Sequence, residues 1–223
     1  MLAGDRSPEP GVEDAVNFAG ISRTFGFAPA VVNVSLRIGR GECVLIRGPN
    51  GAGKSTLLRI IATALSPTAG HGTVLGLDLI RDRNRIRTRS DLLGHRTRLY
   101  EDLTAAENLR FTAVVHGLDP GRRQTQEILE RVGLSDVGGE RVRGFSQGMR
   151  QRLAVGRLLL RDPELVLLDE PYAGLDREAQ DLVDAIVMES RARGRTVVMV
   201  SHDAAKMALA SRVVMMRSGR LRA

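Results

Sequence analysis

A nine-residue segment of this chain carries the spacing G-x-x-x-x-G-K-[ST], which is typical of loops that bind the phosphates of a nucleoside triphosphate. Its glycines let backbone N–H groups turn inward around the phosphates, and a helix that follows directs its positive dipole end at the same anion. Lys54 can reach the outer phosphates, and the Ser55 hydroxyl can join the coordination of Mg²⁺. The predicted nucleotide-binding residues of the loop are Gly48, Pro49, Asn50, Gly51, Ala52, Gly53, Lys54, Ser55 and Thr56.

The surroundings of this loop fit the same prediction. Residues 43–46 predict a buried strand before the loop, and residues 55–61 predict the start of a helix after it. Only two of the chain's 33 basic residues are lysines, Lys54 and Lys206. A compact ammonium fits a nest of backbone groups that a broad guanidinium would crowd, so the lysine in the loop favours a phosphate site.

A second candidate group follows the apolar run Leu165 to Leu168, where Asp169 and Glu170 come next. Ligand sites of open α/β sheets lie at the carboxyl ends of strands, so both carboxylates are expected near the loop. Asp169 can hold Mg²⁺ directly or through water. Glu170 can orient, or accept a proton from, the water that attacks the γ-phosphate.

A third candidate begins a predicted helix at Ser146, in the sequence Phe-Ser-Gln-Gly-Met-Arg. Serine is a favoured N-cap, and a helix N-terminus attracts phosphate. Because the chain has one phosphate loop, a second anion site suggests a dimer in which each copy closes the other's nucleotide. An ordinary capped helix is the alternative, which these residues alone leave open.

Composition and charge limit the function classes. A chain of 223 residues with 43% hydrophobic residues is one large globular domain or a domain with a subdomain. No apolar run reaches the roughly 18 residues of a membrane span, no signal peptide is expected, and the single Cys43 fits a reducing cytoplasm. The net charge is +7, and much of it comes from arginines within residues 81–98. We favour a solvated face for this segment over a partner-facing or membrane-facing surface. Nucleic-acid binding is the least favoured interpretation, because the segment has no aromatic residues on which bases could stack.

The pattern along the chain indicates an α/β fold. Residues 1–13 are polar and contain two prolines, so we expect a loose tail. Strand patterns alternate with helix patterns in residues 14–94 and 161–223, which favours a parallel sheet. Between them, helical patterns dominate from about residue 95 to 160, so this part is interpreted as an insert in the α/β core.

The order of these motifs resembles the ATP-binding subunit of ATP-binding-cassette transporters. The phosphate loop, Ser146-Gln147-Gly148, Leu165 to Pro171, Gly174-Leu175-Asp176 and Ser201-His202-Asp203 occur in that family's order. The resemblance covers about residues 14–223. It implies a P-loop NTPase core with a mostly parallel sheet, an antiparallel β subdomain and an inserted helical subdomain. It also implies ATP and Mg²⁺ as cofactors, a homodimer formed on ATP binding, and integral membrane transporter subunits as partners at the inner face of the cell membrane.

The resemblance assigns roles to single residues. Phe25 matches the aromatic that stacks on adenine, where relatives often have Tyr. Ser146 and Gly148 match the signature that binds the γ-phosphate across the dimer, although the family pattern Leu-Ser-Gly-Gly-Gln differs at Gln147 and Met149.

Three further positions match the family's communicating and switching residues. Asp176 matches the loop that links the two nucleotide sites, and His202 matches the histidine that contacts the γ-phosphate. Counting back from Leu103-Thr104, His95 takes the place of a glutamine that usually touches Mg²⁺ or water; a shift of one residue would put Arg96 there. An imidazole titrates near pH 6.5, so His95 would make the ATPase acid-sensitive.

The sequence therefore predicts the motor ATPase of an export-type transporter. The Gly-His pair before Leu-Thr resembles haem-exporter ATPases of cytochrome c maturation, whereas the Ser-x-Gly-Met signature resembles multidrug or antibiotic exporter ATPases. A soluble cassette ATPase acting on nucleic acid or ribosomes is the alternative class; such relatives usually carry two cassettes or long coiled-coil inserts. A phosphate-loop kinase or GTPase would leave Ser146-Gln147-Gly148 unexplained.

Overall fold

The computed structural model describes residues 14–94, 97–119 and 121–222. The expected tail over residues 1–13, and His95 with Arg96, lie outside these ranges. The strands are β1 Asp14–Phe25, β2 Ala28–Gly39, β3 Cys43–Arg47, β4 Ala69–Val74, β5 Leu77–Asp78, β6 Ser90–Leu93, β7 Leu165–Asp169, β8 Thr196–Val200, β9 Arg212–Arg217 and β10 Arg220–Arg222. The helices are α1 Lys54–Ile61, α2 Arg83–Arg89, α3 Ala105–Val115, α4 Gly121–Arg131, α5 Gln147–Arg161 and α6 Arg177–Ala192, with 3₁₀ helices at Val142–Gly144 and Ala204–Leu209.

The strands form two sheets. The first has the order β2-β1-β4-β5 and is antiparallel throughout. The second has the order β10-β9-β3-β8-β7-β6, and all its pairs are parallel except the hairpin of β9 and β10. The parallel sheet that the alternating pattern predicts is therefore present, and strands distant in sequence become neighbours in it.

The central strands of the parallel sheet, β3, β8 and β7, are apolar except at one terminal residue each, because both faces are covered. In β3, Val44 and Ile46 pack into one hydrophobic core, together with α1 and residues of the antiparallel sheet. Cys43 and Leu45 point to the opposite face, into a second core that includes residues of α3, α5 and α6. A rigid, two-sided core of this kind fixes the positions of the strand ends.

Helices α3, α4 and α5 follow one another between β6 and β7, as the helical pattern of residues 95–160 predicts. The first turn of α3 is closed by a capping box in which the Thr104 hydroxyl accepts from the Glu107 N–H and the Glu107 carboxylate accepts from the Thr104 N–H. Helix α5 ends at Arg161, and its C-cap residue Asp162 adopts the left-handed conformation, with φ of 40°.

The expectation that the arginine-rich segment within residues 81–98 is a solvated face is wrong for part of it. Helix α2 lies within this segment and buries Ile86. The guanidinium groups of Arg83 and Arg87 donate to Ser66 and Thr63, and Arg89 forms a two-pronged ion pair with Glu164. These arginines tie α2 to neighbouring elements of the fold, whereas Arg85 pairs with Asp82 at the start of the same helix.

Candidate nucleotide-binding and catalytic site

A cleft of about 630 Å³ opens at the carboxyl ends of the parallel strands. Residues of the predicted phosphate loop form one side, and residues that follow β7 and β8 form the other. The residues that line it are Ala30, Asn50, Gly51, Ala52, Gly53, Lys54, Ser55, Thr56, Glu170, Ala173 and His202.

Two glycines of the loop are required by close backbone contacts. Gly48 has φ of 152°, and a Cβ there would lie 1.9 Å from the carbonyl oxygen of Met216 in β9. Gly53 has φ of 99°, and a Cβ there would lie 2.1 Å from the carbonyl oxygen of Ala30 in β2. The loop is therefore held between the two sheets in a conformation that only glycine adopts without strain.

Lys54 opens α1, and its side chain folds back over the loop. Its ammonium donates to the carbonyl oxygens of Gly48, at 2.8 Å, and Pro49, at 3.0 Å. The residue is only 6% exposed. Burial lowers the pKa of Lys54, while the charges of Glu170 and Asp169 act in the opposite direction. A cation held by two carbonyl groups can exchange them for phosphate oxygens when a nucleotide enters.

Ser55 and Asp169 bring a hydroxyl and a carboxylate together across the cleft. The Ser55 hydroxyl donates to Asp169 Oδ1 at 2.7 Å, and Asp169 is 5% exposed at the end of β7. Mg²⁺ prefers oxygen ligands, with one or two from protein and the rest from phosphate and water, and this pair fits that preference. Among the described residues there is no group of three His, Cys, Asp or Glu that could hold a metal alone.

Glu170 has an unusual backbone and side-chain environment. Its φ of 51° is left-handed, and its N–H donates to the carbonyl oxygen of Val200 at 3.0 Å. Its Oε1 atom is buried and lacks a hydrogen bond from any described residue. The Nε2 atom of His202 lies 3.1 Å from that oxygen, without hydrogen-bond geometry, and 3.3 Å from the Lys54 ammonium. A strained residue with an unsatisfied carboxylate oxygen is common at functional sites.

The structure brings together Lys54, Ser55, Asp169, Glu170 and His202. The predicted loop residues Asn50 to Gly53 and Thr56 line the same cleft, whereas Phe25, Ser146, Gly148 and Asp176 do not. His95 is outside the described residues, so its assignment, and the alternative at Arg96, stay predictions.

Phe25 lies at the tip of the β1–β2 hairpin, 47% exposed, with the Arg23 guanidinium 4.8 Å from its ring centroid. It does not line the cleft, although Ala30 of the same hairpin does. One ring face is covered by Arg23, so an adenine could use only the other. The role of Phe25 stays a prediction.

Ser146 and Asp176 are N-caps of helices. The Ser146 hydroxyl accepts from the Met149 N–H at 3.2 Å, and Gly148 lies in the first turn of α5. Asp176 accepts from the Ala179 N–H at 2.8 Å, and Arg152 donates to the same carboxylate. The Ala179 N–H is the main reason that the pKa of Asp176 is lowered, and Arg152 adds to it.

Sequence reasoning missed three neighbours of the site. Ala30 and Ala173 line the cleft, and small apolar residues give no sequence signal for such a place. Arg47, at the end of β3, donates to the carbonyl oxygen of His202 at 3.2 Å. Its position directly before the phosphate loop is the only feature of the sequence that could have indicated it.

Substitutions of Lys54 should show whether ATP binding requires only a positive charge or also the compact shape of the ammonium. Lys54→Ala should weaken binding of a fluorescent ATP analogue about 10- to 100-fold, since a hydrogen bond to a charged group contributes roughly 1.5–3 kcal/mol. Lys54→Arg should bind as poorly, because the guanidinium cannot occupy the space between two loop carbonyls. The measurement is fluorescence anisotropy with a chelator present, and Arg59→Ala, exposed on the same helix, is the control. Wild-type affinity in Lys54→Arg would contradict the geometric part of this explanation.

Comparisons with known proteins agree with this geometry. A family model described as ABC transporter matches residues 31–173. The chain is 38% identical over 194 residues to the ABC transporter ATP-binding protein NatA of Bacillus subtilis (strain 168), covering 85% of this chain and 79% of that protein. It is 36% identical over 214 residues to the daunorubicin resistance ATP-binding protein DrrA3 of Streptomyces coeruleorubidus, covering 94% of this chain and 67% of that protein.

A solved structure extends the comparison to the fold. The dimeric, post-hydrolysis ATP-binding cassette MJ0796, bound to ADP and Pi, superposes with a TM-score of 0.86 at 26% identity, covering 93% of this chain and 97% of that one. This similarity confirms the predicted fold class. With the family match over residues 31–173, it shows that the chain belongs to the ABC transporter family as an ATP-binding domain.

Proposed function

We propose that this chain is the ATP-hydrolysing subunit of an exporter-type ABC transporter. The observation that carries the proposal is the convergence of Lys54, the Ser55–Asp169 pair, Glu170 and His202 on one cleft beside a glycine-held loop. A cation, a pair of oxygen ligands and an unsatisfied carboxylate are the groups that phosphoryl transfer to water needs. Membership of the ABC transporter family supports the same conclusion.

Each group has a distinct task. Lys54 and the loop N–H groups would hold the outer phosphates, and Ser55 with Asp169 would hold Mg²⁺, whose chemistry is to neutralise developing charge on the phosphates. Glu170 would orient the attacking water and accept its proton through the buried Oε1 atom. His202 lies between Glu170 and Lys54 and would contact the γ-phosphate from the side opposite the loop.

Removing the carboxylate of Glu170 should leave binding intact and stop turnover. We expect Glu170→Gln to lower kcat for ATP by about 10²- to 10⁴-fold, since this is the usual loss when a general base is removed. Steady-state phosphate release measures it, and Asp181→Asn, an exposed acid on α6, is the control. Equal rates in Glu170→Gln and wild type would contradict the assignment of Glu170 as the base.

The dimer is the second part of the proposal. Ser146 and Gly148 face no phosphate loop within their own chain, and the cassette MJ0796 is described as dimeric. In the single chain a Cβ at Gly148 would meet nothing closer than the Ser146 hydroxyl, at 3.9 Å. The fold itself therefore gives no reason for a glycine at this position, which supports a close approach to the nucleotide of a second copy.

Gly148→Asp tests this idea without disturbing the fold. The variant should keep its melting temperature and its affinity for the ATP analogue, because the added side chain has room in the single chain. In a Glu170→Gln background, ATP and Mg²⁺ should produce a dimer from the parent chain but not from Gly148→Asp, because the carboxylate would repel the γ-phosphate. Size-exclusion light scattering gives the mass. A dimer in both proteins would exclude Gly148 from the interface.

Helix α3 offers a surface for the membrane subunit. Phe111, Val114 and Val115 share one face of α3, and Leu118 follows three residues after the helix ends; they are 40%, 75%, 61% and 40% exposed. The Tyr100 ring packs edge-on against Phe111, with centroids 4.6 Å apart, and extends the strip. An apolar helix face left exposed in this way is typical of a protein interface.

No helix among the described residues is both long and apolar enough to cross a bilayer. We propose a membrane-spanning transporter subunit as the occupant, which places the chain at the inner face of the membrane.

A charged residue placed on this apolar strip should disrupt binding of the membrane subunit without disturbing the ATPase. Val114→Asp should abolish co-purification with a co-expressed membrane subunit of the transporter and leave ATP-driven dimerisation unchanged. The control is Met188→Asp, at an apolar position on α6 that is 53% exposed, and it should still co-purify with the membrane subunit. Loss of the ATP-driven dimer in Val114→Asp would show instead that a second copy covers the strip.

Only the relatives of this chain indicate which substrate the proposed transporter would export. DrrA3 is named for daunorubicin resistance, which supports the antibiotic-exporter alternative over the haem-exporter alternative. Drug export by cells with and without this chain distinguishes the two.

A further inference from the structure

The chain's second lysine lies in a buried cluster next to the catalytic residues. Lys206 is 8% exposed, and its ammonium donates to Asp184 Oδ2 at 2.7 Å. The Tyr172 hydroxyl donates to the other carboxylate oxygen of Asp184 at 2.7 Å. The same ammonium lies 4.2 Å from the centroid of the Tyr172 ring, within the range of a cation–π contact. Each member of this triad therefore contacts both others.

The triad connects the two segments that carry Glu170 and His202. Tyr172 is two residues after Glu170, Lys206 is four residues after His202, and Asp184 belongs to α6. The two segments leave neighbouring parallel strands, in which Asp169 is paired with Val200. Side chains therefore join these two segments at two separate points. One is the 3.1 Å approach of Glu170 to His202, and the other is the triad.

Neither segment is held firmly by its own backbone. After Glu170 the chain runs through turns whose hydrogen bonds, Ala173 N–H to Glu170 and Leu175 N–H to Tyr172, measure 3.2 and 3.3 Å. Lys206 belongs to a six-residue 3₁₀ helix, a form with poorer hydrogen-bond geometry than an α-helix. The Glu170 N–H bond to the Val200 carbonyl joins the segments where they begin, and side-chain anchors are expected to fix their distance beyond that point. Burial raises the pKa of the Tyr172 hydroxyl, and its bond to Asp184 raises it further, so this donor stays protonated.

We propose that Tyr172, Asp184 and Lys206 are positioning residues that set the separation of Glu170 from His202, so that both act on one γ-phosphate. The inference rests on the proposed ATPase function. A displacement of about 1 Å of a catalytic group, caused from outside the site, can lower a rate about 100-fold. The phosphate loop is not part of the triad, so nucleotide affinity should be preserved.

The test compares Tyr172→Phe and Lys206→Met with Arg161→Met. Tyr172→Phe keeps the ring and removes only the hydroxyl, so it is the milder variant. The control breaks the ion pair of Arg161 with Asp91, 2.8 Å long with side chains 6% and 9% exposed, which lies beside β6 and outside the cleft. We expect kcat to fall about 10- to 100-fold in the triad variants, with KM for ATP unchanged. Arg161→Met should lose thermal stability but keep kcat.

A second measurement does not depend on turnover. The chain has four histidines, so the ring ¹H–¹⁵N spectrum is simple, and His202→Gln identifies the signal of His202. That signal should shift in Tyr172→Phe and Lys206→Met and stay in place in Arg161→Met. Unchanged kcat with an unmoved His202 signal in the triad variants would overturn the inference, as would an equal loss of kcat in Arg161→Met. An inactive wild type would instead refute the proposed function, and the His202 signal would then decide the positioning role.

Discussion

Three parallel strands, β3, β8 and β7, lie side by side and end at one edge of the sheet, and the whole site depends on this arrangement. Strand β3 delivers the phosphate loop, β7 delivers Asp169 and Glu170, and β8 delivers His202. Because both faces of the sheet are packed, the strand ends cannot shift independently. This arrangement brings Ser55 and Asp169, which are 114 positions apart in the sequence, into direct hydrogen-bond contact.

The same edge concentrates charge that the fold alone does not balance. Lys54 is buried beside two carboxylates, and its ammonium is satisfied by loop carbonyls rather than by an ion pair. Glu170 keeps a buried oxygen without a donor among the described residues. Burial of these charges costs folding free energy, and the unpaired oxygen of Glu170 adds to that cost. A nucleotide with its metal and water would supply further partners for both groups, so part of this cost would be recovered on binding.

The sequence predicted the parts of this site that have a strict local signature. The phosphate loop is recognisable because Gly48 and Gly53 are forced by backbone contacts at 1.9 and 2.1 Å, which leaves no freedom for substitution. Asp169 and Glu170 are recognisable because an apolar run ends in acid. The contributions of Tyr172, Lys206 and Arg47 depend on which strands become neighbours, and single-residue patterns do not contain that information. Helix α2 was missed for a related reason: its arginines bind partners that are distant in sequence, so the segment resembles a solvated charge run.

The position of the residues proposed to bind phosphate adds a further constraint. Within the described part of the chain, the cleft receives its donors from the phosphate loop and His202, while Ser146 and Gly148 start a helix elsewhere. Two copies that approach each other also bring together two chains of formal charge +7, which repel. In the proposed dimer, nucleotide bound between the copies would answer both problems, because its phosphates would give the second helix N-terminus an anion to bind and would add negative charge at the interface. Hydrolysis and release of phosphate would remove the charge and the contacts of the γ-phosphate. Repulsion would then favour separation, and ATP hydrolysis would change the distance between the two subunits.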